Sequence, residues 1–190
     1  QILQTASTHI NITSDAFCAH LPQDTIVFDR AFGELETFVT VDSNATFIGW
    51  EHLIFGRRAG GYPFENGQLM QSLRIVRERR PLFRENLRLT PRTLEAASGL
   101  NGMVSFASVT LVLPASSSQT SDVVSVARDT LKLFDVHAGV SAVRKSLISL
   151  RILSSVEEET RSALEQLWIT VGEININFGT QHGFLVESVT

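Results

Sequence analysis

The chain has 190 residues, 43% hydrophobic and 19% charged, a globular profile that excludes a disordered or fibrous protein and fits one domain with its own core. No apolar run reaches the roughly 18 residues of a membrane span, and a single cysteine, Cys18, excludes an internal disulfide, zinc fingers and multi-thiolate clusters and favours a reducing compartment. The net charge of −4 argues against general nucleic-acid binding, yet nine of the 14 arginines lie between Arg57 and Arg92, and six acids with only Arg30 lie between Gln1 and Asp42. Arginines alternating on a strand make a solvated face or a dock for an acidic partner.

Residues 1–114 read as strands. Thr8 to Ile12 alternates, and Thr25–Phe28, Thr37–Val41, Thr46–Phe55, Leu69–Val76 and Leu82–Leu89 are rich in β-branched, aromatic and leucine residues. Breaks fall at Pro22, Gly33, Asp42 to Asn44, Gly60-Gly61, Asn66-Gly67 and Pro91, and Asn66-Gly67 suits a tight turn. After Pro114 the period changes. Ala115 to Ser121 is a loop, and Val123, Val126, Ala127, Thr130, Leu131 and Phe134 recur at helical spacing. Leu147 to Leu153 alternates again as an extended segment. A second helix is expected from Ser155, which with Glu158 has capping-box spacing, to Gly172, with Val156, Ala163, Leu164, Leu167, Trp168 and Val171 on its apolar stripe. The reading is one domain, 1–190, with a strand-rich part over 1–114 and a helix–strand–helix part over 115–175.

Phosphate-binding loops, a His-Glu-x-x-His pair and a Gly-x-Ser-x-Gly elbow do not occur in the sequence. The nearest approach to a metal signature is Cys18-Ala-His20, because residues two apart on a strand share a face and could bind one borderline cation such as nickel or zinc. The structural alternative is that Cys18 packs as a small hydrophobe and His20 caps the strand. Glu85 within an arginine-rich strand is half of an ion pair or a carboxylate on a metal path.

Five segments in register give a more definite reading. Leu21-Pro-Gln-Asp-Thr-Ile-Val-Phe-Asp-Arg-Ala31, Gly49-Trp-Glu-His-Leu-Ile-Phe-Gly-Arg57, Phe64-Glu-Asn-Gly67, Arg80-Pro-Leu-Phe-Arg-Glu-Asn-Leu-Arg-Leu89 and Ala138-Gly-Val-Ser141 stand in order, followed by Leu150-Arg-Ile-Leu153 and a helix with Trp168. Together they resemble the urease accessory protein D family, called H in some bacteria. Tyr62 stands where that family's pattern has glutamate, and the likeness fades beyond about Glu173, so that the tail 176–190 does not match. Family members carry a further segment before the point matching Gln1. The expectation is therefore a chain corresponding to the C-terminal two thirds of a longer protein, with the strand near Thr8 to Ile12 left as an unpaired edge.

The resemblance implies an irregular, β-helix-like winding of strands with two α-helices in the C-terminal half. It implies a cytoplasmic scaffold or chaperone rather than an enzyme, without a permanently bound cofactor, that takes part in delivering nickel to apo-urease. Its implied partners are urease accessory protein F, the GTPase accessory protein G through F, and the urease apoprotein, with neither nucleic acid nor membrane. Glu85 occupies the glutamate position of the family's Pro-Leu-x-x-Glu-x-x-x-Leu stretch and is the first candidate for transient nickel contact, with Cys18 and His20 beside it. For partner contact the candidates are Phe134, Leu164 and Trp168 on the helices and Arg74, Arg84 and Arg88 on the strands. Two other classes stay open: a stand-alone β-rich interaction module, and a metal-dependent hydrolase built on Cys18, His20 and a distant carboxylate.

Overall fold

The computed structural model describes residues 2–57 and 60–173, in which the chain is mainly β with its two longer helices on the C-terminal side. One sheet holds β1 (Gln4–Ile12), β4 (Ala31–Val41), β6 (Gly67–Arg77) and β7 (Arg80–Leu89), in that order. β4 pairs in parallel with β1 and β6, and β6 pairs antiparallel with β7. The other sheet runs β2 (Phe17–His20), β5 (Thr46–Phe55), β8 (Ser105–Val112), β10 (Leu147–Ser154) and β9 (His137–Arg144), and the short β3 (Thr25–Val27) shares β5 with β2. Here β2 and β3 are parallel to β5, and the remaining pairs are antiparallel. The helices are α1 (Pro91–Glu95), α2 (Thr120–Leu131) and α3 (Glu157–Glu173).

Strand alternation decides what each side of the second sheet meets. On β10, Ile148, Leu150 and Ile152 join Ala107, Val109 and Leu111 of β8 in a core closed by α2 and α3, where Val123, Ala127, Leu131, Ala163, Leu164, Leu167 and Val171 recur at helical spacing. Burying one leucine or valine of such a stripe contributes about 1.5–3 kcal/mol. The alternate residues of the same strands face the first sheet and form two apolar clusters. Leu53, Phe55, Leu69, Leu89 and Phe106 lie in one, and Val39, Phe47, Ile75, Val112 and Leu147 in the other.

Several sequence expectations change. Asn66-Gly67 does not close a hairpin, because β5 and β6 belong to different sheets. Gly67 has φ +120, and a Cβ there would stand 2.4 Å from Ala31 O, so the glycine serves a close backbone approach. Ser155 does not start α3; the helix begins at Glu157, and Ser154 Oγ accepts from Val156 N at 3.0 Å. Glu157, Glu158 and Glu159 occupy its first turn, at the positive end of the helix dipole. Pro91, read as a break, opens a one-turn helix with Thr90 as its cap, Thr93 N donating to Thr90 Oγ1 at 3.3 Å. β1 is bonded to β4 along its whole length, and its other side has no strand partner among the described residues. The tail 176–190 lies outside the described residues.

Candidate functional site

Between the two apolar clusters, the strands that cross the sandwich turn polar at one level. Moving along β4, Leu35 gives way to Thr37 and then Val39; along β5, Leu53 to Glu51 and then Phe47; along β7, Leu89 to Glu85 and then Phe83. Gln71 of β6 and Ser108 and Thr110 of β8 lie in the same layer and are buried. The sheets are knit across it. Thr37 Oγ1 donates to Glu51 Oε1 at 3.1 Å, and Ser108 Oγ donates to Glu85 Oε2 at 2.9 Å. Arg151 Nη2 donates to the other oxygen of Glu85. Gln71 Oε1 and Thr110 Oγ1 are buried without a hydrogen-bond partner, an arrangement that is costly in an apolar surrounding.

One end of the layer lies at His20, whose Nε2 stands 4.0 Å from Glu51 Oε1. His20, Thr37, Glu51, Gln71 and Ser108 line a cavity of about 20 Å³, room for about one water-sized guest. Burial lowers the pKa of His20 and raises that of Glu51, the latter against the hydrogen bond from Thr37. A neutral imidazole has a free lone pair, which a metal cation needs. At the other end, Glu85 and Arg151 reach an open cleft of about 470 Å³ between the ends of the two sheets.

The candidates from sequence occupy separate places. Cys18 packs against the cluster of Val39 and Phe47, where burial raises its thiol pKa. His20 lines the small cavity and Glu85 the open cleft. Among the described residues no group of three His, Cys, Asp or Glu side chains is placed to hold a metal ion. Leu164 is buried under the second sheet, with Phe134 and Trp168 half-buried against the same core, Trp168 stacked on Phe17 with ring centroids 6.2 Å apart. α2 ends at Leu131, so Phe134 lies beyond it; Leu133 in the turn after α2, Val156 just before α3 and Ile169 on α3 are exposed apolar residues. Arg74, Arg84 and Arg88 all project from the open face of the first sheet. Arg74 lies 5.4 Å over the Phe38 ring, Arg84 is its cross-strand neighbour, and Arg88 Nε donates to Gln68 Oε1 at 2.9 Å.

Sequence reasoning missed a second polar cluster on the helix side of β5. His52 Nδ1 lies 2.6 Å from Asp24 Oδ1 and its Nε2 2.7 Å from Ser105 Oγ, and Ser105 Oγ reaches Thr160 Oγ1 of α3 at 2.8 Å. Arg161 donates to Asp24 Oδ2 through Nε at 3.0 Å. The acid–imidazole–hydroxyl order is that of a hydrolytic triad, but Ser105 is 0% and His52 1% exposed, so no substrate reaches the hydroxyl. The cluster is a strut fastening α3 to the sheet. Burial lowers the His52 pKa despite the Asp24 carboxylate beside it. Burial pushes the pKa of Asp24 up, but the bonds from Arg161 and His52 outweigh that and hold it below its ordinary value. Residues 28 and 53 apart in sequence carry no spacing signal for such a cluster.

The quoted segments also meet one another in space. Glu65 N and Asn66 N donate to Asp29 Oδ1 at 3.0 and 2.7 Å, and Arg30 N donates to Asn66 O at 2.8 Å. Phe64 enters the core beside Phe55.

A β-sandwich with helices on one side, a polar layer through its middle and a basic strand face on the other side is the form of a binding platform. The chain belongs to the urease accessory protein D family, since the family model described as UreD urease accessory protein matches residues 3–177. It is 27% identical over 170 residues to the urease accessory protein UreD of Methylobacillus flagellatus, covering 88% of this chain and 58% of that protein. It is 31% identical over 150 residues to the UreD of Dechloromonas aromatica, covering 78% and 52%, and 36% identical over 98 residues to that of Saccharophagus degradans, covering 52% and 32%. The chain thus spans about half the length of the relatives it matches over most of its own. Among the described residues no helix is long and apolar enough to cross a membrane.

Proposed function

We propose that this chain is a non-catalytic scaffold of urease maturation, working in the cytoplasm, and that nickel is its cargo rather than a resident cofactor. Membership of the urease accessory protein D family supports the setting, and the polar layer supports the role. Glu85 is the central residue of the reading. It is 8% exposed, faces Ser108 inside and Arg151 at the cleft, and so stands between the small cavity and the outside. Single donors set one after another suit a cation in passage, because a closed set of three or four ligands would retain it. His20 supplies a neutral imidazole near the far end, and Cys18 stands two residues earlier on β2.

The partners on this reading are the urease apoprotein, accessory protein F and, through F, the GTPase accessory protein G. Arg74, Arg84 and Arg88 offer a charged surface, and Leu133 and Ile169 are better placed than Leu164 to touch a partner, since Leu164 is inside. The test is reconstitution. Apo-urease, F, G, nickel, bicarbonate and GTP are combined with and without this chain, and activated urease is measured. Activation that depends on the chain supports the proposal, and equal activation without it refutes it.

A further inference from the structure

The two sheets do not match in width. Cross-sheet bonds place β4 over β5, through Thr37 and Glu51, and β7 over β8 and β10, through Glu85 with Ser108 and Arg151. That registers the four strands β1, β4, β6 and β7 over β2, β5, β8 and β10, and leaves β9 at the end of the second sheet with no strand opposite it. The result is a notch whose wall is the outer edge of β7 and whose floor is the inward side of β9 and β10, the open cleft of about 470 Å³ described above.

Its floor is low. Gly139, Ser141 and Val143 of β9 and Ser149 of β10 line it, and a Cβ added at Gly139 would meet nothing within 4 Å. A further strand bonded to β7 would lie about 4.8 Å beyond it, above these short side chains. The outer edge of β7 has no strand partner among the described residues, so N–H and C=O groups along it are open to a further strand, except at its end, where Arg88 O accepts from Thr93 Oγ1 at 3.2 Å. The charge around the notch has one sign. Of the residues that line it, Arg84 and Arg151 are basic and the single acid is Glu85, which Ser108 and Arg151 already bond. Two copies of this edge would repel each other, which disfavours self-pairing.

We propose that the notch binds an extended, acidic segment of a partner protein, which adds to β7 as a fifth strand and lies over β9. Main-chain hydrogen bonds to β7 supply affinity and the arginines select the sign of charge. This stands on the sheet edges alone and is read without urease or nickel, so its failure and that of the maturation role are separable.

The probe is a fluorescent peptide of about nine residues, a strand's length, alternating glutamate with valine, titrated into the full chain by anisotropy. Saturable binding that weakens with salt is expected. It should fall at least about tenfold for Gly139→Trp, which fills the floor, and for the exposed Arg84→Glu, while Gly139→Ala binds as the wild type does. Should Gly139→Trp lose its native circular dichroism, Arg84→Glu and the next peptide carry the test. The same peptide N-methylated at alternate residues cannot pair with an edge and should not bind. Equal binding of the methylated peptide, equal binding of a lysine–valine peptide, or unaltered binding by both Gly139→Trp and Arg84→Glu overturns the proposal. So does binding seen only after the chain is shortened to residue 173, which would make the chain's own end the occupant.

Discussion

Replacing His52 by leucine tests whether the buried cluster on β5 is a strut. The side chains are close in volume, so the cavity contribution is small, and the loss is that of two bonds of 2.6 and 2.7 Å at a position 1% exposed. Asp24 keeps Arg161, and Ser105 keeps Thr160 but loses its second partner inside the protein. An abandoned buried group of this kind costs about 1–3 kcal/mol, or a melting temperature lower by roughly 2–12 °C for a chain of this size. The pH dependence is a second reading. Burial lowers the folded pKa of His52 below its ordinary 6.5, so the native state binds fewer protons than the unfolded one. Its stability contribution is complete above pH 6.5 and is lost as pH falls from there towards the folded value, by at most about 1.4 kcal/mol per pH unit per group. His20 shifts the same way and remains in the variant. Urea unfolding at pH 7.5 and 5.5, followed by circular dichroism, should show a lower midpoint for His52→Leu at pH 7.5 and a smaller loss on acidification. An unchanged midpoint, or a pH loss equal to the wild type's, refutes the strut.

Other outcomes follow from particular contacts. Gly67→Ala forces a Cβ to within 2.4 Å of Ala31 O at φ +120, so urea unfolding should show a stability loss of more than about 1 kcal/mol, whereas Gly61→Ala, with nothing within 4 Å, bears only the positive-φ cost, about 1 kcal/mol. Trp168→Ala removes a ring stacked on Phe17 and half-buried against the helix-side core, so it should lower the melting temperature and weaken partner binding together. Ile169→Glu, on an exposed position, should reduce co-purification with accessory protein F while leaving the melting temperature within about 2 °C. An Ile169→Glu chain that still co-purifies normally excludes that helix face from the contact.

The sequence made much of the fold legible because alternation and helical spacing are local signals. Leu147–Leu153 is the plainest example: the residues expected on opposite faces do part between the helix-side core and the sandwich interior. β8 is not legible because Ser105–Val112 is buried on both faces, which leaves a nearly continuous small and apolar run without period. β9 is equally faint, because an exposed edge strand of small residues has little propensity signal. At the site, Glu85 stood out within its arginines, but Thr37, Glu51, Gln71 and Ser108 did not. A polar residue in an apolar strand gains meaning only when several strands align theirs, and register across two sheets is a tertiary property. The His52 cluster was hidden for the same reason.

The measurement closest to the central claim is nickel incorporation into apo-urease by the reconstituted accessory complex carrying Glu85→Gln. Glutamine retains an oxygen to accept from Ser108, and Arg151, 54% exposed, can turn to water, so the fold and the complex should survive while the carboxylate of residue 85 is gone. The account predicts that the variant assembles like the wild type and that nickel reaching urease falls at least about tenfold, against no change for the exposed Arg92→Gln. Normal nickel incorporation by an assembled Glu85→Gln complex would contradict it.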